Sequence, residues 1–186
     1  MDNSNGGMGG KTVLITGGTS GIGKATAVAL AAMGADVVIV GRNPERGRAA
    51  LEEIGAHSHS ESVELMLADL CAQAEVRRLA EEFLERYDRL DVLANNAGLV
   101  QSKRSETPDD IETTLATNHL APFMRSPEQG ADTLIWLASS PEVEGVSGKY
   151  FSDRKEIEAK KVAYDPAARR RLWEISEDLT GLKVTV

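Results

Sequence analysis

A short β-branched and apolar run, Thr12 to Thr16, passes through the turn Thr16-Gly17-Gly18-Thr19-Ser20-Gly21-Ile22-Gly23 directly into the Ala-rich stretch Lys24 to Met33. That order of strand, glycine turn and helix leaves few folds open. Glycines let the chain turn tightly and bring backbone N–H groups close to a pyrophosphate, whose charge the helix N-terminus also favours. Any strand-to-helix turn can use glycine to reach positive φ, so the G-x-x-x-G-x-G spacing gains its meaning from where it lies.

The alternation continues. Gly34 closes the first helix as its C′ residue, and Asp36 to Val40 is a second strand whose continuous apolarity suits burial on both faces. Pro44 starts a helix predicted to reach about Ile54; the polar stretch Gly55 to Ser60, with His57 and His59, reads as a loop before a third strand at Val63 to Leu67. From Gln73 to Tyr87 apolar residues recur at Val76, Leu79, Ala80, Phe83, Leu84 and Tyr87, an amphipathic helix, and Asp91 to Ala94 is a fourth strand. Repeated βα alternation predicts an α/β fold with a parallel sheet, helices on both faces and right-handed crossovers.

Beyond Gly98 the rhythm weakens. Thr107-Pro108 can open a helix through Ile111, Leu115 and Asn118 until Pro122, and Ser126-Pro127 opens another that Ser139-Ser140-Pro141 ends. Gly145 to Phe151 is a late strand candidate. Asp165-Pro166 opens a last helix, in which Leu172, Trp173, Ile175 and Leu179 give an apolar face for docking on the body or on a partner, and Arg169-Arg170-Arg171 reads as its solvated side.

At 186 residues and 41% apolar, the chain suits a single domain over 11–186 behind a flexible polar tail, 1–10. Its net charge of −8, without a basic stripe, argues against nucleic acid as a partner. A lone cysteine, Cys71, permits no internal disulfide and suits a reducing compartment, and no apolar run approaches the roughly 20 residues of a membrane span; a cytoplasmic location is the expectation. His57-x-His59 has no third ligand nearby, so no metal site is expected.

The glycine turn, Asp69-Leu70 after the third strand, Asn95-Asn96-Ala97-Gly98 after the fourth and Asn118 in the next helix occur in the order that marks the short-chain dehydrogenase/reductase family, which the sequence resembles. Ser126 to Lys155, with Gly148-Lys149-Tyr150-Phe151, resembles the C-terminal part of the retinol-dehydrogenase-like branch. The resemblance implies a Rossmann-type, doubly wound sheet and hydride transfer between a nicotinamide nucleotide and a carbonyl or alcohol on an apolar substrate. It assigns Gly17, Thr19, Ser20, Gly21, Ile22 and Gly23 to the pyrophosphate, Asp69 and Leu70 to adenine, and Asn95, Ala97 and Gly98 to adenine and ribose. After the second strand, in Gly41-Arg42-Asn43, arginine stands where an acidic residue would accept from a ribose 2′-hydroxyl; its guanidinium suits a 2′-phosphate, so NADP(H) is expected over NAD(H).

The family's catalysis, as the resemblance implies, needs a tyrosine and a lysine at i and i+4 on one helix, with a serine nearby. Here Tyr150 has Arg154 at i+4 and Lys155 at i+5, and Ser139 and Ser140 precede it at a tempting distance. A fifth residue lies roughly 140° round a helix from the first, so the pair does not share a face. The better account is an internal loss near Ala121-Pro122-Phe123-Met124 that removes the family's fifth strand, its tyrosine-lysine helix and its sixth strand, leaving a truncated sheet of strands 1–4 plus a late strand and leaving Asn118 without its partners. No catalytic residue is then assigned beyond Asn118 by family position. The fourth strand would keep an open edge, which the late strand or a second chain could cover, making a homo-oligomer one outcome. Two alternatives stand beside a nucleotide-binding but catalytically impaired family member: an enzyme rearranged around Tyr150, and a non-catalytic binding or interaction module.

Overall fold

The computed structural model describes residues 7–98 and 127–181, and the chain divides at Gly145 into two compact units. The helix expected around Asn118, and the expected deletion point at Ala121 to Met124, lie outside the described residues.

In the first unit, strand β1 (Thr12–Thr16) leads to α1 (Gly21–Ala32), β2 (Asp36–Gly41), α2 (Pro44–Ser58), β3 (Val63–Leu67), α3 (Gln73–Arg86), β4 (Val92–Ala94) and α4 (Pro127–Ser139). The four strands are parallel in the order β3-β2-β1-β4, as the α/β reading requires. Alternate residues of the central strands point to opposite faces. Val13, Ile15, Val37 and Ile39 pack with Ala27, Leu30 and Ala31 of α1 and with Ala50 and Ile54 of α2, while Leu14, Val38, Val40 and Met66 pack with Leu79 and Phe83 of α3. This is why β1 and β2 read as unbroken apolar runs, for both their faces are buried.

Helix α1 starts at Gly21, three residues before the expected Lys24, because Ser20 is extended (φ −162°, ψ 169°) and the helical turn begins inside the glycine segment. Its far end is closed by Gly34 at φ 91°: Gly34 N donates to Ala31 O at 2.9 Å and Ala35 N to Leu30 O at 3.1 Å, satisfying the last carbonyls. Helix α2 runs to Ser58, past the expected Ile54, so His57 is not in a loop: its Nδ1 lies 2.6 Å from Glu53 O in the last turn, and His59 ends the helix at φ 54°. Gly55 is absorbed there because the Ser58 hydroxyl donates back to Ile54 O at 2.7 Å and holds the final turn. Met8, inside the expected tail, is buried in the core, and its N–H donates to Met33 O at 2.9 Å.

The second unit holds a hairpin of β5 (Phe151–Ser152) and β6 (Lys155–Glu156) and the helix α5 (Pro166–Thr180). The late strand expected over Gly145 to Phe151 is therefore corrected to two residues that pair antiparallel in their own sheet and do not join the parallel one. Its glycines account for this: Gly145 and Gly148 take φ of 75° and 70°, which breaks extended pairing, while Asp153 and Arg154, both at positive φ, form a two-residue turn of the sense that suits a hairpin. Asp165 caps α5, its carboxylate accepting from Ala167 N at 2.9 Å.

Candidate nucleotide site at the strand ends

The register places Thr16 beside Val40, Gly41 beside Leu67 and Ile15 beside Ala94, so the carboxyl ends of all four strands share one edge of the sheet. Helices α1 and α2 lie on one face and α3 on the other, and the connection thus reverses between β1 and β4. In open α/β sheets such a reversal leaves a crevice outside the strand ends.

At the crevice the glycine turn is held from two sides. Gly17 N donates to Val40 O at 2.9 Å and Gly18 N to the same oxygen at 3.3 Å. From the β4 side, Asn96 Nδ2 donates to Thr16 O at 2.9 Å and to Gly17 O at 3.3 Å, while Ala97 N donates to the Thr16 hydroxyl at 3.0 Å. Three glycines of the turn have no room for a side chain, and on Gly18 a Cβ would lie 2.6 Å from Ile39 Cγ2. A Cβ on Gly17 would lie 2.9 Å from Ala97 Cα, and one on Gly23 would lie 2.4 Å from Asn96 Nδ2 and 2.5 Å from Gly17 O. Gly21 differs: its φ is 55°, yet nothing lies within 4 Å of where a Cβ would stand. Open space therefore fronts the first turn of α1. There the Ser20 side chain makes no capping hydrogen bond and no acidic residue occurs in the first turn, so backbone N–H groups and the positive end of the helix dipole face that opening. Such an arrangement suits an anion.

Arg42, directly after β2, is exposed, and its side chain makes no hydrogen bond or ion pair among the described residues. Asn43 caps α2, its Oδ1 accepting from Arg46 N at 2.9 Å and leaving the amide NH₂ as donor. After β3, the Asp69 carboxylate accepts from Cys71 N at 3.0 Å, which fixes the loop beneath Leu70. Asn95, Ala97 and Gly98 follow β4 on the same edge. Thr16 and Asn96 were not singled out by the sequence, although the Asn95-Asn96 doublet at a strand end was the available signal.

The serines and the tyrosine of that tempting spacing are each placed by their own local structure. The Ser139 hydroxyl donates to Ile135 O at 2.7 Å, and Ser140 caps a short 3₁₀ turn by accepting from Glu142 N at 3.2 Å. Tyr150 precedes β5, Arg154 sits in the hairpin turn and Lys155 in β6, so none of the three lies on a helix. No group of residues able to hold a metal occurs among the described residues, and none of their helices is long and apolar enough to cross a membrane.

Residues 11–129 match the short chain dehydrogenase family. DnrU of Streptomyces sp. (strain C5), by name a daunorubicin C-13 ketoreductase, is 30% identical over 272 aligned positions, which take in 95% of this chain and 94% of that protein. Human retinol dehydrogenase 14 is 28% identical, with 94% of this chain and 88% of that protein covered. An uncharacterized protein from Mycobacterium paratuberculosis has a crystal structure that shares the fold, with a TM-score of 0.79, 21% identity and 98% of each chain covered.

Proposed function

This chain belongs to the short chain dehydrogenase family, and from that premise we propose that it binds NADP(H) along the carboxyl edge of its sheet without a complete catalytic apparatus. The observation that carries the nucleotide reading is the glycine turn clamped by Asn96, with an open, uncapped α1 N-terminus in front of it. The family binds nicotinamide nucleotides, and these residues fit one. Gly21 leaves room for a pyrophosphate to approach, and Thr19, Ser20, Ile22 and the N–H groups of the turn would hold it, between Gly17 and Gly23. Arg42 and the Asn43 amide would hold a 2′-phosphate, Asp69 and Leu70 the adenine, and Asn95, Ala97 and Gly98 the adenosine ribose. When bound, the nucleotide would supply or accept hydride.

A proton must also reach or leave the substrate oxygen, and here the chain falls short. Its three tyrosines have Asp91, Arg154 and Ala168 four residues on, never lysine. The reading of an internal loss is supported by the 272 positions aligned with DnrU, which exceed the 186 residues of this chain by 86. An intact parent would interconvert a carbonyl and an alcohol on an apolar substrate, in keeping with the names of DnrU and retinol dehydrogenase 14. This chain would retain the nucleotide half.

The test is a pair of fluorescence titrations with NADPH and NADH. Tighter binding of NADPH is expected; equal affinities would remove the 2′-phosphate assignment, and no binding of either would remove the nucleotide reading altogether.

A further inference from the structure

Helix α5 shows four apolar residues, Ala168, Leu172, Ile175 and Leu179, at successive spacings of four, three and four, which places them in one stripe along the helix. Leu172 is 44% exposed, Ile175 40% and Leu179 45%, and none of residues 146–181 is fully buried. The second unit therefore offers its own longest helix no core to hide this stripe.

The charges on α5 are ordered. Arg169, Arg170 and Arg171 fall in its first half and Glu174, Glu177 and Asp178 in its second. That order opposes the helix dipole, which favours acidic residues near the N-terminus and basic ones near the C-terminus. A helix with the same order lying antiparallel would turn the local cost into attraction.

We propose that α5 is a self-association surface whose partner is α5 of a second copy of this chain, packed antiparallel. Because the stripe is symmetric about its centre, antiparallel pairing sets Ala168 opposite the partner's Leu179 and Leu172 opposite the partner's Ile175, and the relation holds in both directions, as a two-fold axis demands. On one flank of the stripe stand Arg171 and Asp178, neither of which makes an ion pair among the described residues. Two-fold pairing brings each Arg171 to the partner's Asp178 with an axial offset of about 3 Å at 1.5 Å per residue. Parallel pairing would instead bring that flank to the other, setting Arg171 beside the partner's Arg169. Charge thus selects the antiparallel arrangement.

The experiment is sedimentation velocity on the full chain from micromolar to millimolar concentration, at low and at high salt. A reversible dimer that weakens with salt is expected. Asp178→Arg should weaken it by about tenfold, since two symmetric contacts become repulsive, and Arg171→Asp combined with Asp178→Arg should restore it to near the original value. Ile175→Glu should abolish it while circular dichroism shows the helices retained. A chain that stays monomeric throughout, or a dimer indifferent to Ile175→Glu, overturns the proposal. So does a charge swap that fails to restore association, which would place the contact elsewhere. Lowered thermal stability of a monomer on Ile175→Glu would show α5 docked on its own chain, also against the proposal.

Discussion

Asn96 donates from one amide nitrogen to the carbonyls of both Thr16 and Gly17, at 2.9 and 3.3 Å, and so ties the loop after β4 to the turn after β1 across the reversal point of the sheet. Both bonds are partly buried, so removing the donor leaves two carbonyls poorly satisfied. Asn96→Ala should cost about 1–3 kcal/mol in urea unfolding. It should also weaken NADPH binding more than a distant change of equal stability cost, because the turn loses its clamp. Unchanged stability and affinity would mean that the bond is incidental.

The glycines of the turn should separate into two kinds. Gly23→Ala drives a methyl to 2.4 Å from Asn96 Nδ2 and 2.5 Å from Gly17 O, so the protein should lose stability with or without nucleotide. A Cβ on Gly21 meets nothing within 4 Å, so the main folding cost of Gly21→Val is the backbone strain of φ 55°, on the order of 1–2 kcal/mol. Its side chain would fill the space in front of α1. A folded Gly21→Val protein that no longer binds NADPH is the expected result; retained affinity would make that glycine a purely structural one.

What the sequence made legible was whatever repeats with a period or marks an end. Buried strands read as apolar runs, α3 as an amphipathic stripe, and Gly34 and Asp165 as stops and caps, and each stands where expected. Two kinds of feature were not legible. The role of Asn96 depends on a contact 80 residues away in the chain, which no local pattern encodes. The late strand failed for the opposite reason: Gly145 to Phe151 has strand-forming residues, but positive φ at its two glycines and the tight turn at Asp153-Arg154 are backbone states that side-chain periodicity does not reveal.

Arg42 stands just past β2 with no partner among the described residues, which leaves its guanidinium available to a 2′-phosphate. Arg42→Asp should reverse or erase a preference for NADPH, because a carboxylate repels the phosphate and can accept from a 2′-hydroxyl. The comparison is the ratio of NADPH to NADH dissociation constants in both proteins. An identical ratio would reduce Arg42 to an ordinary surface arginine.

Tyr87 stacks on Phe83 with ring centroids 4.6 Å apart, and its hydroxyl is buried without a hydrogen-bond partner among the described residues. Burial first, and then the nearby Glu64 carboxylate, push its phenol up to about 12 from an ordinary 10.0. A phenol harder to ionise when folded contributes stability that is complete below the unfolded value and is lost as pH rises from 10.0 through about 12. Tyr87→Phe should flatten the alkaline limb of the stability profile in that window. At neutral pH it should leave stability unchanged or raise it by up to about 1 kcal/mol, since an unsatisfied hydroxyl is removed. Urea midpoints across the pH range decide it, and a steep loss of stability at neutral pH would reveal a hydrogen bond to that hydroxyl.

Carbonyl reduction by this chain should be absent or very slow even when NADPH is bound. Losing the proton donor alone typically removes about 10²–10⁴-fold of rate, and losing the walls that orient the substrate adds to the deficit. Tyr150 is the one tyrosine with a cationic residue four residues on, but Arg154 at φ 59° lies in a hairpin turn and Lys155 in the following strand, so neither is held one helical turn away. The assay is nucleotide oxidation followed by absorbance with a panel of aldehydes, ketones and quinones, repeated with Tyr150→Phe. Robust turnover lost in the phenylalanine protein would establish Tyr150 as a relocated acid and overturn the impaired reading. Turnover that survives the change would point to a donor elsewhere in the chain or to a contaminating enzyme, which an Asn96→Ala control separates. An endogenous activity should fall with the loss of the clamped turn, and a contaminant's should not.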